Sequence, residues 1–402
     1  MSLPTRASRP YTVAIIGAGP TGCYTAQAVR KALPAAEITV IDGSLIPFGL
    51  LRNGIAPDHQ GMKGVARQYE RLFMADGVHF VGGVRVGEHV PVAALSVFDG
   101  VVFATGLEQD RPLDVPIADE ARVLGAGRIL RLLNGDPTRS DDDLSVLGEE
   151  LIVYGTGNVA VDLLRLIAKS EPELAGSDIV DEARRRLSLE SVRHITVLGR
   201  GPRHKARWDS AMLSELCELD DVHISLDGEV IVDRSTARVR IDILFERRIE
   251  SVQWEGCTTI ARTTAGSTFR ADALITAVGF VAANDTVIDE AERVLPIVVR
   301  AGGSSSGFLG NLAQNRVLAK EAASQLATAL LEAESSLPGF SAFAAALPPG
   351  CTSIEDWRVL DRIEVDNAEA ARCRRKLTSV DDIRTALSES KDRIRRFDPV
   401  PA

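Results

Sequence analysis

YTVAIIGAGPTGCYTAQAVRKALPAAEITVID, residues 11–42, decides the fold of this chain. The run before Gly17 is short, β-branched and apolar, as a strand buried on both faces of a parallel sheet must be. The segment from Cys23 to Leu33 is rich in helix formers and ends at Pro34, and EITVID reads as the next strand. Gly17 permits the tight turn from strand to helix. Gly19 lets backbone N–H groups approach a pyrophosphate at the helix N-terminus, and Gly22 lets helix and strand pack closely. Ala18, Pro20 and Thr21 complete the turn, and Asp42 stands where a ribose hydroxyl needs an acceptor. A glycine turn used for packing alone is the bland alternative, and the full context of strand, helix, second strand and acid disfavours it.

A second turn of the same kind follows the strand-like LIVY, at Gly155, Thr156, Gly157, Asn158 and Val159. Its third small residue is Ala160, which the dinucleotide pattern tolerates, and the helix NVAVDLLRLIAK is apolar on most faces, as one wedged between a sheet and another domain should be. The next strand, HITVLG, ends at Gly199 and Arg200 without an acid. A guanidinium there can pair with a 2′-phosphate, so Arg200, with Arg203, Lys205 and Arg207 close behind, favours NADP over NAD. The alternative for that basic run is a solvated loop.

The 402 residues suffice for two or three domains, and 45% hydrophobic residues supply their cores. A net charge of −10 argues against nucleic-acid binding, which needs a basic surface. Local basic stretches at Arg184–Arg186, Arg200–Arg207 and Arg372–Lys376 remain candidates for an acidic protein partner, or for solvated faces. Five cysteines, scattered and without a CxxC, exclude a redox dithiol beside a flavin and point to a reducing compartment. Six histidines, equally scattered, suggest no metal site. Without a long apolar stretch or a secretory signal, no membrane span is expected, and a cytoplasmic protein is the default.

Between the two turns runs PFGLLRNGIAPDHQGMK, residues 47–63, a loop dense in Gly and Pro and too long to be a mere connector. FDGVVFATG then gives a strand that ends in Ala104, Thr105 and Gly106, small residues that allow backbone to lie against a cofactor. ADALITAVGF, residues 271–280, echoes it in the second half. The chain then returns to the first half through LPIVVRAGGSSSGFLGN, so one dinucleotide domain is inserted in the other. The expected fold is α/β: two nested Rossmann-like dinucleotide-binding domains, glutathione-reductase-like, with parallel central sheets and antiparallel additions. The expected boundaries are 1–109 with 296–402 for one domain and 110–295 for the other. The charged tail from Ser353 onward reads as an appendage with two helices.

These segments resemble, in kind and order, the adrenodoxin-reductase-like ferredoxin–NADP reductases. GAGPTGCYTAQ, PFGLLRNGIAPDHQGMK, VVFATGLEQDRPL, LLNGDP, GTGNVAVDLLRLI, SDIVDEA, VLGRGP, SGFLGN and RRKLTSVDDI carry the likeness, and PFGLLRNGIAPDH is the most specific. The resemblance implies FAD in the first domain, NADP in the second, and electrons leaving to a ferredoxin-type iron–sulfur protein. It implies that Ala18, Pro20, Asp42, Gly49, Leu50 and Leu51 hold FAD. Gly307, Phe308 and Leu309 would offer backbone N–H groups to the isoalloxazine, stabilising the charge of the reduced flavin. Thr156, Gly157, Asn158 and Val159 would receive the NADP pyrophosphate, and His59 would lie beside the flavin, unless it is a hydrogen-bonded loop histidine.

The departures fall on the nicotinamide side. The family's paired arginines before Gly-Pro are reduced here to Arg200, which weakens the preference for NADPH. Met212 stands where an acid near the nicotinamide is expected, and a methionine can neither hold a carboxamide nor partner His59. Ala301 stands where the family has a tryptophan over the flavin. Three readings follow: a reductase for an iron–sulfur protein, a diverged flavoenzyme acting directly on a small substrate in a specialised pathway, or an FAD-binding protein whose turnover has lapsed.

Overall fold

The computed structural model describes residues 10–138, 144–283, 285–307, 312–333 and 337–397. Thr12–Ile16, buried at every position, lies at the centre of a five-stranded parallel sheet. Glu37–Asp42 and then His79–Gly82 flank it on one side, and Gly100–Phe103 and then Val298–Arg300 on the other. Because neighbouring strands depart in opposite directions from Thr12–Ile16, the crevice at its C-terminal end is a topological switch point, where such sheets bind ligands. The helix Pro20–Ala32 starts there with proline in its first turn, where a missing N–H costs nothing. It packs against the long helix Leu312–Glu332. Val29 and Leu326 are fully buried in the shared core, each contributing about 1.5–3 kcal/mol.

A second sheet repeats the arrangement with residues from the middle of the chain. Glu150–Tyr154 is flanked by His194–Leu198, with Val239–Leu244 and Val222–Leu226 beyond, and on the other side by Ala273–Thr276 and Val123–Gly125, all parallel. The edge strand Glu229–Val232 joins antiparallel. Ile249–Glu255, Thr258–Thr263 and Thr268–Ala271 form a separate antiparallel sheet, and Gln109–Asp110 pairs antiparallel with Phe280–Val281 where the chain leaves and re-enters the inserted half. The nested α/β architecture read from the sequence is thus present, antiparallel additions included. Among the described residues no helix is long and apolar enough to cross a membrane.

The stretch beyond Ser353 is not an appendage. Ser353 and Asp356 form a capping box that starts the helix Ile354–Asp366, whose Trp357 and Leu360 enter the first core. Thr352 exchanges both backbone hydrogen bonds with Gly82, covering the edge of the first sheet. The Arg372–Lys376 run, a candidate docking patch by sequence, is largely consumed inside the molecule. Arg372 pairs with Asp181 at 2.7 Å and with Glu171, Arg374 with Asp361 at 2.5 Å, and Lys376 reaches Asp178 at 3.1 Å. Arg184 is likewise buried and bound to Glu171 at 2.6 Å. Among the three basic stretches, the one that begins at Arg200 stays at the surface.

Candidate active site

Gly17 adopts φ +110, and a Cβ added there would meet the Ala104 carbonyl oxygen at 2.5 Å. A Cβ on Gly22 would meet the Gly17 carbonyl oxygen at 1.8 Å. Both glycines therefore serve close packing of the turn on its neighbours. Gly19 differs: it has ordinary extended dihedrals, φ −71 and ψ −178, and nothing lies within 4 Å of an added Cβ. It faces open space at the start of the helix.

The second turn is built the same way. Gly155 has φ +134, and its Cβ would strike the Ala277 carbonyl oxygen at 2.3 Å, whereas Gly157, at φ −104 and ψ 178, has nothing within 4 Å. In each turn the first glycine packs on the small residue after the facing strand, and the second leaves a cradle.

A cleft of 1160 Å³ joins the region of the two turns. Gly17, Gly19, Pro20 and Thr21 line one end, with Ala104, Thr105 and Gly106 beside them. Gly49, Leu50 and Leu51 continue the wall to His59, and Asn158, Val159 and Met212 close the far side. Ala18 and Gly22 lie beneath this surface rather than in it. Gly155, Thr156, Gly157 and Arg200 sit outside the cleft wall, Arg200 exposed beyond His194–Leu198. Gly307, at φ +70, ends the short helix Gly303–Ser306, while Phe308 and Leu309 lie outside the described residues.

Asp42 borders the cleft with both oxygens engaged. Oδ2 accepts from the Ala18 N–H at 2.6 Å and Oδ1 from the Ser44 N–H at 2.7 Å. Burial raises its pKa to about 6 against the pull of those two donors, and the nearby Glu108 adds to the rise. The folded value exceeds the unfolded one. The stability Asp42 contributes is therefore present below the unfolded value and lost as the pH rises through about 6.

His59 is held by carboxylates. Its Nε2 lies 3.1 Å from Glu215 Oε2 and its Nδ1 3.7 Å from Asp162 Oδ1. Arg165, buried on the helix Asn158–Ala168, forks onto Asp58 at 2.6 and 3.1 Å and also reaches Asp162 and Glu215. Lys169 adds a contact of 2.6 Å to Asp58. Burial alone would raise the Asp58 pKa, but the hydrogen bonds and charges of Arg165 and Lys169 outweigh it and hold the value at about 2. The long loop is thereby anchored across the cleft by its Asp58–His59 pair.

The expectation that Met212 leaves His59 without an acid is corrected here: the acid comes one helical turn later, at Glu215. Met212 itself borders the cleft and packs against the second core. The helix Ser210–Glu218 is capped by Asp209, whose side chain accepts from Ala211 and whose own N–H donates to Asn158 Oδ1 at 2.7 Å. Sequence reasoning also missed Asp58, Asp162 and Arg165. The signal for the last two was the charged pair at i, i+3 spacing on an otherwise apolar helix. Ala301 is buried, with its N–H bonded to the Phe103 carbonyl, and the Thr105 and Ser304 hydroxyls meet at 3.0 Å nearby.

Fold and cleft together define an oxidoreductase of the two-dinucleotide class. Cindoxin reductase of Citrobacter braakii is 34% identical over 430 residues, spanning 95% of this chain and 92% of that protein. NADPH-ferredoxin reductase FprA of Mycobacterium tuberculosis is 32% identical over 240 residues, 58% of this chain and 53% of its own length. The structure of Mycobacterium tuberculosis FprA in complex with NADPH superposes with a TM-score of 0.85 at 23% identity, over 94% of this chain and 100% of that one. No protein-family model matches the chain. On the strength of the near full-length relative, the chain belongs to the adrenodoxin-reductase-like ferredoxin–NADP reductase family.

Proposed function

We propose that the chain is an FAD-dependent reductase that takes electrons from NADPH and delivers them to a ferredoxin-type iron–sulfur protein. One observation carries this reading: the two glycine turns share one construction, each with an open middle glycine, and one cleft runs from the first turn to Asn158 and Val159 beside the second. The open cradle at Gly19, with Asp42 beside it, fits the pyrophosphate and ribose of FAD. The first domain, 1–109 with 296–402, is the FAD-binding one, and 110–295 takes the nicotinamide nucleotide. FAD supplies the change from a two-electron hydride donor to a one-electron acceptor.

The protein's own residues bind, orient and exclude water. Asp42 receives ribose hydroxyls, Gly19 and Gly157 admit the two pyrophosphates, and Glu215 holds the ring of His59 through Nε2. Arg200 pairs with a 2′-phosphate from the free end of its strand. A cytoplasmic setting is supported by five cysteines that are all free thiols.

Anaerobic titration tests the reading. NADPH should bleach the flavin rapidly, and cytochrome c reduction should then require added ferredoxin. A colourless protein that refuses FAD overturns it. Arg200→Ala should raise the KM for NADPH about tenfold or more, the loss of a charge-assisted contact of ~1.5–3 kcal/mol, while the KM for NADH stays nearly unchanged. Equal effects on both would remove its role. FAD affinity, measured by fluorescence, should be about tenfold weaker one pH unit below the Asp42 pKa than well above it. A flat profile would show that Asp42 does not hold the cofactor.

Met212 favours a second reading at the same site: it presents an apolar side chain to the cleft where the family resemblance implies an acid, a surface that fits a small substrate of a diverged flavoenzyme. Flavin that resists both NADPH and NADH would favour it.

A further inference from the structure

We propose that Asn53 is a hydrogen-bonding residue for the flavin and that its carboxamide raises the flavin's reduction potential, an inference that rests on the FAD reading above. Asn53 ends the short helix Leu50–Asn53, borders the cleft, and is 6% exposed. Its Oδ1 is enclosed without a hydrogen-bond partner. Leaving such a group unpaired costs its full desolvation, so a native fold that retains one asks for a ligand.

The surroundings sharpen the contrast. The Asn53 N–H donates to the Gly49 carbonyl at 2.9 Å, and the Gly54 N–H to Leu50 at 2.8 Å. The Arg52 carbonyl accepts from Lys63 at 3.1 Å and from Lys376 at 3.3 Å, and the Ile55 carbonyl accepts from Asn134 at 3.0 Å. Arg52 itself is fixed by Glu364 at 2.5 Å and lies over the Trp357 ring. The backbone on both sides is tied down, while the carboxamide is left unspent beside the cleft.

Position assigns the ligand. A Cβ on Gly49 would lie 3.0 Å from the Gly19 Cα, so this helix starts against the first turn's open cradle. Asn53 continues the wall past Leu50 and Leu51, on the same short helix that begins against the first turn. The two ends of a carboxamide exchange by a simple flip, so the ligand selects which end it meets. A flavin gathers negative charge on reduction, and that charge selects the N–H donors. Their hydrogen bond is stronger to the reduced form, which lifts the potential.

Asn53→Leu keeps the size and removes the hydrogen bonding; Asn53→Asp keeps the shape and puts negative oxygen in place of the donors. FAD content is read first, then the potential by redox titration against a reference dye, without NADPH. Asn53→Leu should lower the preference for reduced over oxidised flavin about tenfold, a fall of roughly 30 mV, and Asn53→Asp should lower it further. Wild-type potentials in variants that hold FAD would overturn the proposal, and a raised KM for NADPH with an unmoved potential would overturn it in favour of a nicotinamide contact. Should Asn53→Leu fail to fold, Asn53→Asp decides alone. A wild-type protein that binds no FAD would instead overturn the parent reading.

Discussion

Asp178→Ala should destabilise the protein by about 3–5 kcal/mol, the loss expected when a buried ion cluster is broken by removing one partner. Asp178 is 3% exposed and faces two ammonium groups, Lys63 Nζ at 2.7 Å and Lys376 Nζ at 3.1 Å. Asn134 Oδ1, the Asn134 carbonyl and the Arg52 carbonyl supply further acceptors. Burial pulls both lysines below their usual pKa, and each is pulled further by nearby positive charge. Burial pushes Asp178 up, but the pull of Lys376 and Lys63 prevails and leaves it below the ordinary carboxylate range. One carboxylate therefore serves as the shared partner of two buried lysines, and removing it leaves both without that partner.

The cluster also joins three parts of the chain. Lys63 closes the long loop, Asp178 belongs to the inserted half, and Lys376 to the tail. Its failure should loosen the wall that carries Leu50, Leu51 and His59, so FAD retention should fall together with stability. The sign with pH follows from the depressed carboxylate. Its contribution is present above the unfolded pKa and is lost as the pH falls through the lower folded value. Denaturant unfolding of the wild type and of Asp178→Ala measures the difference, and a loss below about 1 kcal/mol would mean that water or another anion replaces the carboxylate.

The same cluster marks where sequence reading stopped. The glycine turns were legible because their chemistry is local: strand, tight turn and helix lie within a few residues, and the acid follows one strand later. The nested order was legible because VVFATG and ADALITAVGF repeat one pattern. The tail was not. A run such as Arg372–Lys376 looks solvated when read alone, and what buries it is contact with residues far off in the chain, Lys376 with Asn134 and Arg372 with Glu171. Glu215 was missed for a different reason. Met212 fills the position where the acid is expected, and Glu215, on the next turn of the same helix, presents the same face.

Side chains at Gly19 and Gly157 should separate the two cofactors. Both positions have extended dihedrals that any L-residue adopts, and neither would bring a Cβ within 4 Å of another atom. Gly19→Val and Gly157→Val should therefore fold with nearly wild-type stability. Each branched side chain would then occupy the space where backbone N–H groups must approach a pyrophosphate. Gly19→Val should lose FAD affinity by at least about 100-fold, near 2.7 kcal/mol, and be isolated colourless. Gly157→Val should stay yellow and keep its flavin potential, yet reduce slowly because its NADPH affinity falls by a similar factor. Gly22→Ala supplies the contrast: its methyl would stand 1.8 Å from the Gly17 carbonyl oxygen, so it should fail to fold rather than fail to bind. Fluorescence titration with FAD, stopped-flow reduction by NADPH and thermal melts distinguish the three. A yellow Gly19→Val protein, or a Gly157→Val protein reduced at the wild-type rate, would show that the turns do not divide the cofactors between them.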